Sequence, residues 1–181
     1  MSVTVEAFVG SADALKTAGL DQPGQYLFEV VDVKMGESTM FFDADWLGEN
    51  GRKEGDKYPV IRMTFAFLEE AEYDEKGNHT GNKELSGKRT RTDDIDKDNE
   101  QDRQKLKTLY KEITGKSPNG TLNPVTGEHQ LNYYDIAVEC RGGKAWNRIY
   151  HTDPLKSKKG EIYAKMGNKF QSKPWSKVRV D

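Results

Sequence analysis

The chain reads as a mainly β protein, a five-stranded Greek-key barrel with one helix between the third and fourth strands. Three observations carry that expectation. Residues 24–34 are rich in aromatic and β-branched residues, and residues 58–68 alternate with a period of two. Residues 99–114 carry a single amphipathic helical stripe. Around that helix lie three further strand-like runs, residues 85–92 before it and residues 131–140 and 144–152 after it.

Taken in order, residues 1–22 form an N-terminal arm, with Ser11 placed to cap a short helix through Ala18 and Gly19 to end it. Pro23-Gly24 turns the chain into the first strand. In the second strand Ile61, Met63, Phe65 and Phe67 share a core-facing side, opposite Arg62 and Thr64. The long connection between these strands carries Phe41, Phe42, Asp43, Asp45 and Trp46, and loops of that length are functional or flexible. Residues 69–81 read as a polar excursion with Gly77-Asn78 at its tip. The third strand, residues 85–92, is polar and basic, suited to an edge or to a working outer face.

The helix follows from Leu106, Leu109, Tyr110 and Ile113, which share one stripe at i, i+3, i+4 and i+7. Asp96 or Asp98 is placed to cap it, and Gly115 to end it. After a loop rich in Pro and Gly, Tyr134, Ile136, Val138 and Cys140 alternate along the fourth strand. Residues 141–144 then make a tight turn into the fifth, where Trp146, Arg148 and Tyr150 alternate.

At 181 residues the chain suits one decorated domain. Apolar residues are 34% and charged residues 32%, so the core is modest and the surface well solvated. The net charge of −2 is unevenly spread: residues 155–181 hold eight bases against two acids, leaving the first 154 residues acidic. Tyr163, Phe170 and Trp175 interrupt that basic stretch, which suits either an arm for nucleic acid or a segment packed back on the barrel. The only cysteine, Cys140, permits no internal disulfide and fits a reducing compartment. No long apolar run and no basic-then-apolar leader is present, so a soluble, cytoplasmic protein is expected.

Trp146, Arg148 and Tyr150 are the leading functional candidates, because spacing of two puts an indole, a guanidinium and a phenol on one face. Bases of a single strand stack on such rings while arginine meets phosphate. The plainer reading makes Trp146 and Tyr150 core residues. Arg62, Lys88, Arg89 and Arg91, with Lys144 at the turn, are expected to supply backbone contacts to the same groove. Lysines and arginines also simply protect sheet edges from aggregation.

Other chemistry finds little support. Asp94, Asp96, Asp98 and Glu100 resemble the start of a calcium loop, but Asn99 and Lys105 stand where glycine and a bidentate glutamate belong. Asp43 and Asp45 alone are a weak metal signal. His79, His129 and His151 have no ligand spacing, and no phosphate loop, nucleophile elbow or dinucleotide fingerprint occurs. No cofactor, metal or catalytic activity is expected.

Five strands with a helix after the third is the succession of an OB-type barrel, a fold that often binds oligonucleotides. Pro23-Gly24-Gln25-Tyr26 opening a strand that ends Val31-Asp32-Val33, the Met63-Thr64-Phe65 strand, the helix 106–115 and the closing hairpin extend the likeness. In these features the chain resembles the small OB-fold single-stranded-DNA-binding proteins of tailed bacteriophages, over residues 23–152. The resemblance implies an OB-fold domain over residues 23–154, flanked by the arm and the tail. It also implies non-sequence-specific binding and protection of single-stranded DNA in phage replication, repair or recombination, with replication or recombination proteins as further partners. The basic C-terminus departs from the acidic recruiting tail of many such proteins. The alternative expectation is a protein-interaction or structural phage module that binds no nucleic acid, working through a patch at Phe41, Phe42 and Trp46.

Overall fold

Two long strands form the spine of the fold, and their side-chain pattern explains why they pair over such a length. Strand β1 (Gly24–Thr39) and strand β2 (Lys57–Tyr73) run antiparallel, with Thr39 opposite Lys57 at one end and Tyr26 opposite Glu70 at the other. Phe28 and Val30 of β1, with Ile61, Met63, Phe65 and Phe67 of β2, point into one core and are all but fully buried. The face expected for β2 is therefore the one observed. Burial of each such side chain contributes about 1.5–3 kcal/mol. Tyr26, Phe28 and Phe67 add tilted and edge-on ring contacts with centroids 4.9–6.0 Å apart. The structure, a computed structural model, describes residues 19–39, 51, 53, 55–118, 120–122, 124–127, 129–155 and 160–178. The expected Ser11 helix, the aromatic loop at Phe41, Phe42 and Trp46, and the acids Asp43 and Asp45 lie outside those residues.

The remaining strands attach to this pair. On the outer edge of β2, strand β4 (Thr90–Ile95) pairs with Ile61–Ala66 and strand β3 (His79–Glu84) with Glu69–Tyr73, end to end. On the outer edge of β1 lies strand β7 (Lys144–His151), and beyond it strand β8 (Ala164–Met166). A separate two-stranded ladder joins β5 (Thr121–Leu122) to β6 (His129–Gln130). Helix α1 (Glu100–Thr114) buries Leu106 and Leu109 against the sheet, with Tyr110 and Ile113 packed beside them as expected.

Four expectations are corrected. The six-stranded sheet is open rather than a closed five-stranded barrel. Its edges β4 and β8 share no ladder, and a single side-chain bond crosses between them, from Arg91 Nη2 to the Ala164 carbonyl at 3.4 Å. Second, residues 85–92 are mostly a connection; the strands lie to either side of it, and the polar excursion is a hairpin turning at Gly77. Asp74 Oδ1 accepts from the amides of Lys76 and Asn78 to hold that turn. Third, the fourth strand is a helix, α2 (Tyr133–Glu139), capped by Asn132, whose side chain accepts from the Asp135 amide. The structure buries Ile136, Ala137 and Cys140, a helical spacing, and exposes Val138 and Tyr134, which break the apparent alternation. Residues 141–144 accordingly join a helix to a strand. Fourth, Asn99 rather than Asp96 or Asp98 caps α1, accepting from the Asp102 amide at 3.0 Å, while Gly115 ends the helix at φ 72°.

The basic C-terminal segment is part of the sheet. After β8, Phe170 enters the core and is 2% exposed. Gln171 exchanges two backbone hydrogen bonds with Trp146, both 2.8 Å. Farther on, Trp175 donates its amide to Gln25 Oε1, and the Ser176 carbonyl accepts from the His79 amide. The Val178 amide then reaches Gly77, so the segment fastens the far hairpin to β1 and β7.

Candidate nucleic-acid interface

Strand β7 decides which face holds the predicted platform. Ala145, Asn147 and Ile149 point into the core, and all three are buried. Asn147 is tolerated there because its amide donates to the Gly167 carbonyl at 2.7 Å and its Oδ1 accepts from the Arg148 amide. Alternation therefore turns Lys144, Trp146, Arg148 and Tyr150 away from the core.

That face is only partly open. Trp146 is 5% exposed, because the C-terminal segment runs beside it and is bonded to its backbone. Gln25, on the same side of β1, is buried at the Trp175 amide. The indole is thus not presented for base stacking in this arrangement. Arg148 and Tyr150 remain half-buried, and the guanidinium carbon of Arg148 sits 4.5 Å from the Tyr150 ring centroid.

The other predicted contacts fare differently. Arg62 forms a two-pronged pair with Asp94, at 2.8 and 3.0 Å, and also donates to the Glu37 carbonyl. Arg91 grips Asp93 at 2.7 and 2.9 Å and reaches Asp21 at 3.0 Å. Arg89 pairs with the same Asp21 and lies over the Phe67 ring. Burial disfavours the Arg91 charge, but the bonds and charges of Asp93 and Asp21 more than offset this and raise its pKa. The hydrogen bond and charge of Asp94 likewise raise that of Arg62. All three guanidiniums are therefore neutralised by carboxylates, and the cationic groove read from the sequence is in large part a set of ion pairs. Lys88 and Lys144 are exposed.

Arg91, Arg148 and Tyr150 do come together, around a polar cleft of about 370 Å³ between the sheet edges β4 and β8. Helix α1 closes one side with Gln101, Asp102 and Lys105, and the chain after β8 contributes Lys165 and Asn168. Sequence reasoning missed these residues. Helical spacing of four between Gln101 and Lys105 offered a signal; nothing local marks Lys165. A second cleft, about 560 Å³, flanks Arg148 and Tyr150 on the side of Gln25, Tyr73 and Val178.

Among the described residues no group of three or more His, Cys, Asp or Glu side chains could hold a metal ion. Asp94 and Asp96, from the acidic run, instead take Arg62 and the Asp98 amide as partners. Burial pushes the Cys140 thiol up to about 12, far from a reactive thiolate. Among the described residues no helix is long and apolar enough to cross a membrane.

Comparison with protein-family models, with curated proteins and with solved structures returns no match. The functional reading therefore rests on the geometry of the chain itself.

Proposed function

We propose that the protein binds single-stranded DNA without sequence selectivity, as an OB-like module in phage replication, repair or recombination. The single observation that carries the reading is the Arg148–Tyr150 pair, a guanidinium stacked on a phenol on the sheet face turned away from the core. A flat cationic-aromatic pair of this kind accepts an unpaired base on its π surface and a phosphate on its charge, at roughly 1–3 kcal/mol per stacked base. Exposed Lys88 and Lys144, and Lys165 beside the pair, supply charge that no ion pair among the described residues consumes. No step of catalysis is part of this proposal.

The test is fluorescence anisotropy with labelled oligo-dT and the matching duplex, at several salt concentrations. Salt-sensitive preference for the single strand is expected, with at least tenfold weaker binding in folded Arg148→Ala/Tyr150→Ala. Equal affinity in that variant removes the site assignment, and absence of binding at low salt removes the function.

A second reading, a protein-interaction module, has one observation in its favour. An apolar cleft of about 590 Å³, lined by Met35, Pro59, Leu131 and Tyr134, leaves Met35 55% exposed. Stable co-purification of a protein partner, lost on Met35→Glu, would promote it.

A further inference from the structure

The gap between β4 and β8 has a charge arrangement that the strand-binding reading does not require. Four cations, Arg91, Lys105, Arg148 and Lys165, line it against two carboxylates, Asp93 and Asp102. Both carboxylates are already engaged. Asp93 gives both oxygens to Arg91, and Asp102 Oδ2 accepts the Asp96 amide at 2.9 Å. The fork of Arg91 is in turn spent on Asp93, Asp21 and the Ala164 carbonyl. Lys105 feels the Asp102 charge but forms no ion pair among the described residues, and neither does Lys165. The cleft thus keeps positive charge on Lys105 and Lys165, which approach it from α1 and β8, and Arg148 of β7 lines it beside them. The amides of Gln101 and Asn168 add neutral donors, and the Tyr150 ring forms one wall.

We infer that this cleft is a phosphoryl-binding seat, formed where the sheet fails to close. Converging ammonium and guanidinium groups with amide donors are the chemistry that recognises a tetrahedral phosphate dianion or a phosphodiester. The space, about 370 Å³, falls in the range of small-ligand sites, and the adjoining Tyr150 ring gives a base or sugar an apolar surface. A free mononucleotide and a phosphate of a bound strand present the same group. The seat stands whether or not the strand reading does.

The experiment is titration of the full ¹⁵N-labelled chain with thymidine monophosphate, inorganic phosphate, thymidine and unlabelled oligo-dT, read by amide chemical shifts. Saturable shifts at Gln101 and Lys165–Asn168 are expected with the monophosphate and with phosphate, and not with thymidine. Lys105→Gln/Lys165→Gln is expected to weaken them at least tenfold at unchanged melting temperature, whereas Lys76→Gln, in the distant hairpin turn, leaves them intact. Competition between oligo-dT and the monophosphate for these amides assigns the seat to strand phosphates; simultaneous binding assigns it to a free phosphate. Shifts confined to other residues, or identical shifts with thymidine, overturn the inference. Binding of oligo-dT without movement of the cleft amides overturns the seat and leaves the strand reading standing, and the reverse result does the opposite.

Discussion

Phe170 lies stacked on Phe65, with ring centroids 5.9 Å apart and planes 25° from parallel, although one belongs to the basic C-terminal stretch and the other to the centre of β2. Its backbone amide donates to Thr108 Oγ1 of α1 at 3.1 Å, so the ring is held between sheet and helix. Phe170→Ala is expected to cost about 3–5 kcal/mol, the usual penalty for emptying a buried aromatic site. Urea denaturation measures it, and an unchanged midpoint would show that the ring contributes nothing to the core.

Arg91 should matter to stability far more than Arg62. Its side chain is 10% exposed and pairs with two carboxylates; without it Asp93 loses its cation in a poorly solvated gap, while Asp21 keeps Arg89. Arg91→Met is expected to destabilise by about 3–5 kcal/mol. Arg62→Met breaks a solvated pair with Asp94 and should move the melting temperature little. Thermal denaturation of the two variants side by side makes the comparison; equal losses would sink it.

Asp102 gives stability a pH slope. Burial raises its carboxyl pKa, against the lowering effects of the Asp96 amide and Lys105. The folded chain then holds this proton more tightly than the unfolded chain. Stability from this group is full below the unfolded value of about 4 and is lost as pH rises through the higher folded value. Asp102→Asn keeps an oxygen for the Asp96 amide and removes the ionisation. It is expected to be more stable than the parent at pH 7, with the difference shrinking towards pH 4. A gain that grows on acidification would refute the assignment.

Cys140 is fully buried and its thiol is held near pKa 12, chiefly by burial and then by Glu139. Disulfide-exchange reagents at pH 8 should therefore modify it only at the rate of global or local opening, and rapidly once urea unfolds the chain. Rapid labelling of the native protein would contradict the packing of α2.

Strand β2 and α1 were legible because each has a single clean period, two for Ile61, Met63, Phe65 and Phe67 and the helical stripe for Leu106 and Leu109, while β1 was legible from its aromatic and β-branched content despite two register shifts. Helix α2 was not, because Tyr134, Ile136, Val138 and Cys140 fit a period of two as well as the helix fits them. Asn132 and the small Ala137, which settle the matter as a cap and a close-packed contact, carry weak local signals. The shared face of Trp146, Arg148 and Tyr150 was legible from their spacing of two, but whether that face was outer or core-facing stayed open, and Trp146 is in fact buried. The cover over Trp146, and the carboxylates Asp94 and Asp21 that take up Arg62 and Arg89, come from distant parts of the chain, whereas Asp93, which grips Arg91, lies two residues away on the same strand. Asp21 reaches across to Arg91, and Gln171 to Trp146, and neither relation leaves a periodic trace.

The late position of Phe170 and Gln171 has a biosynthetic consequence. During translation β1, β2, α1 and β7 emerge first, and they meet with the slot beside Phe65 unfilled and the free edge of β7 unpaired at Trp146. Only when Phe170 and Gln171 have been made can that slot and edge be covered. A nascent or prematurely terminated chain therefore exposes an aromatic hole and a strand edge together, features that invite aggregation and quality-control proteolysis. Closure of this core therefore waits on two residues far along the chain from the strands they cover, Phe170 and Gln171.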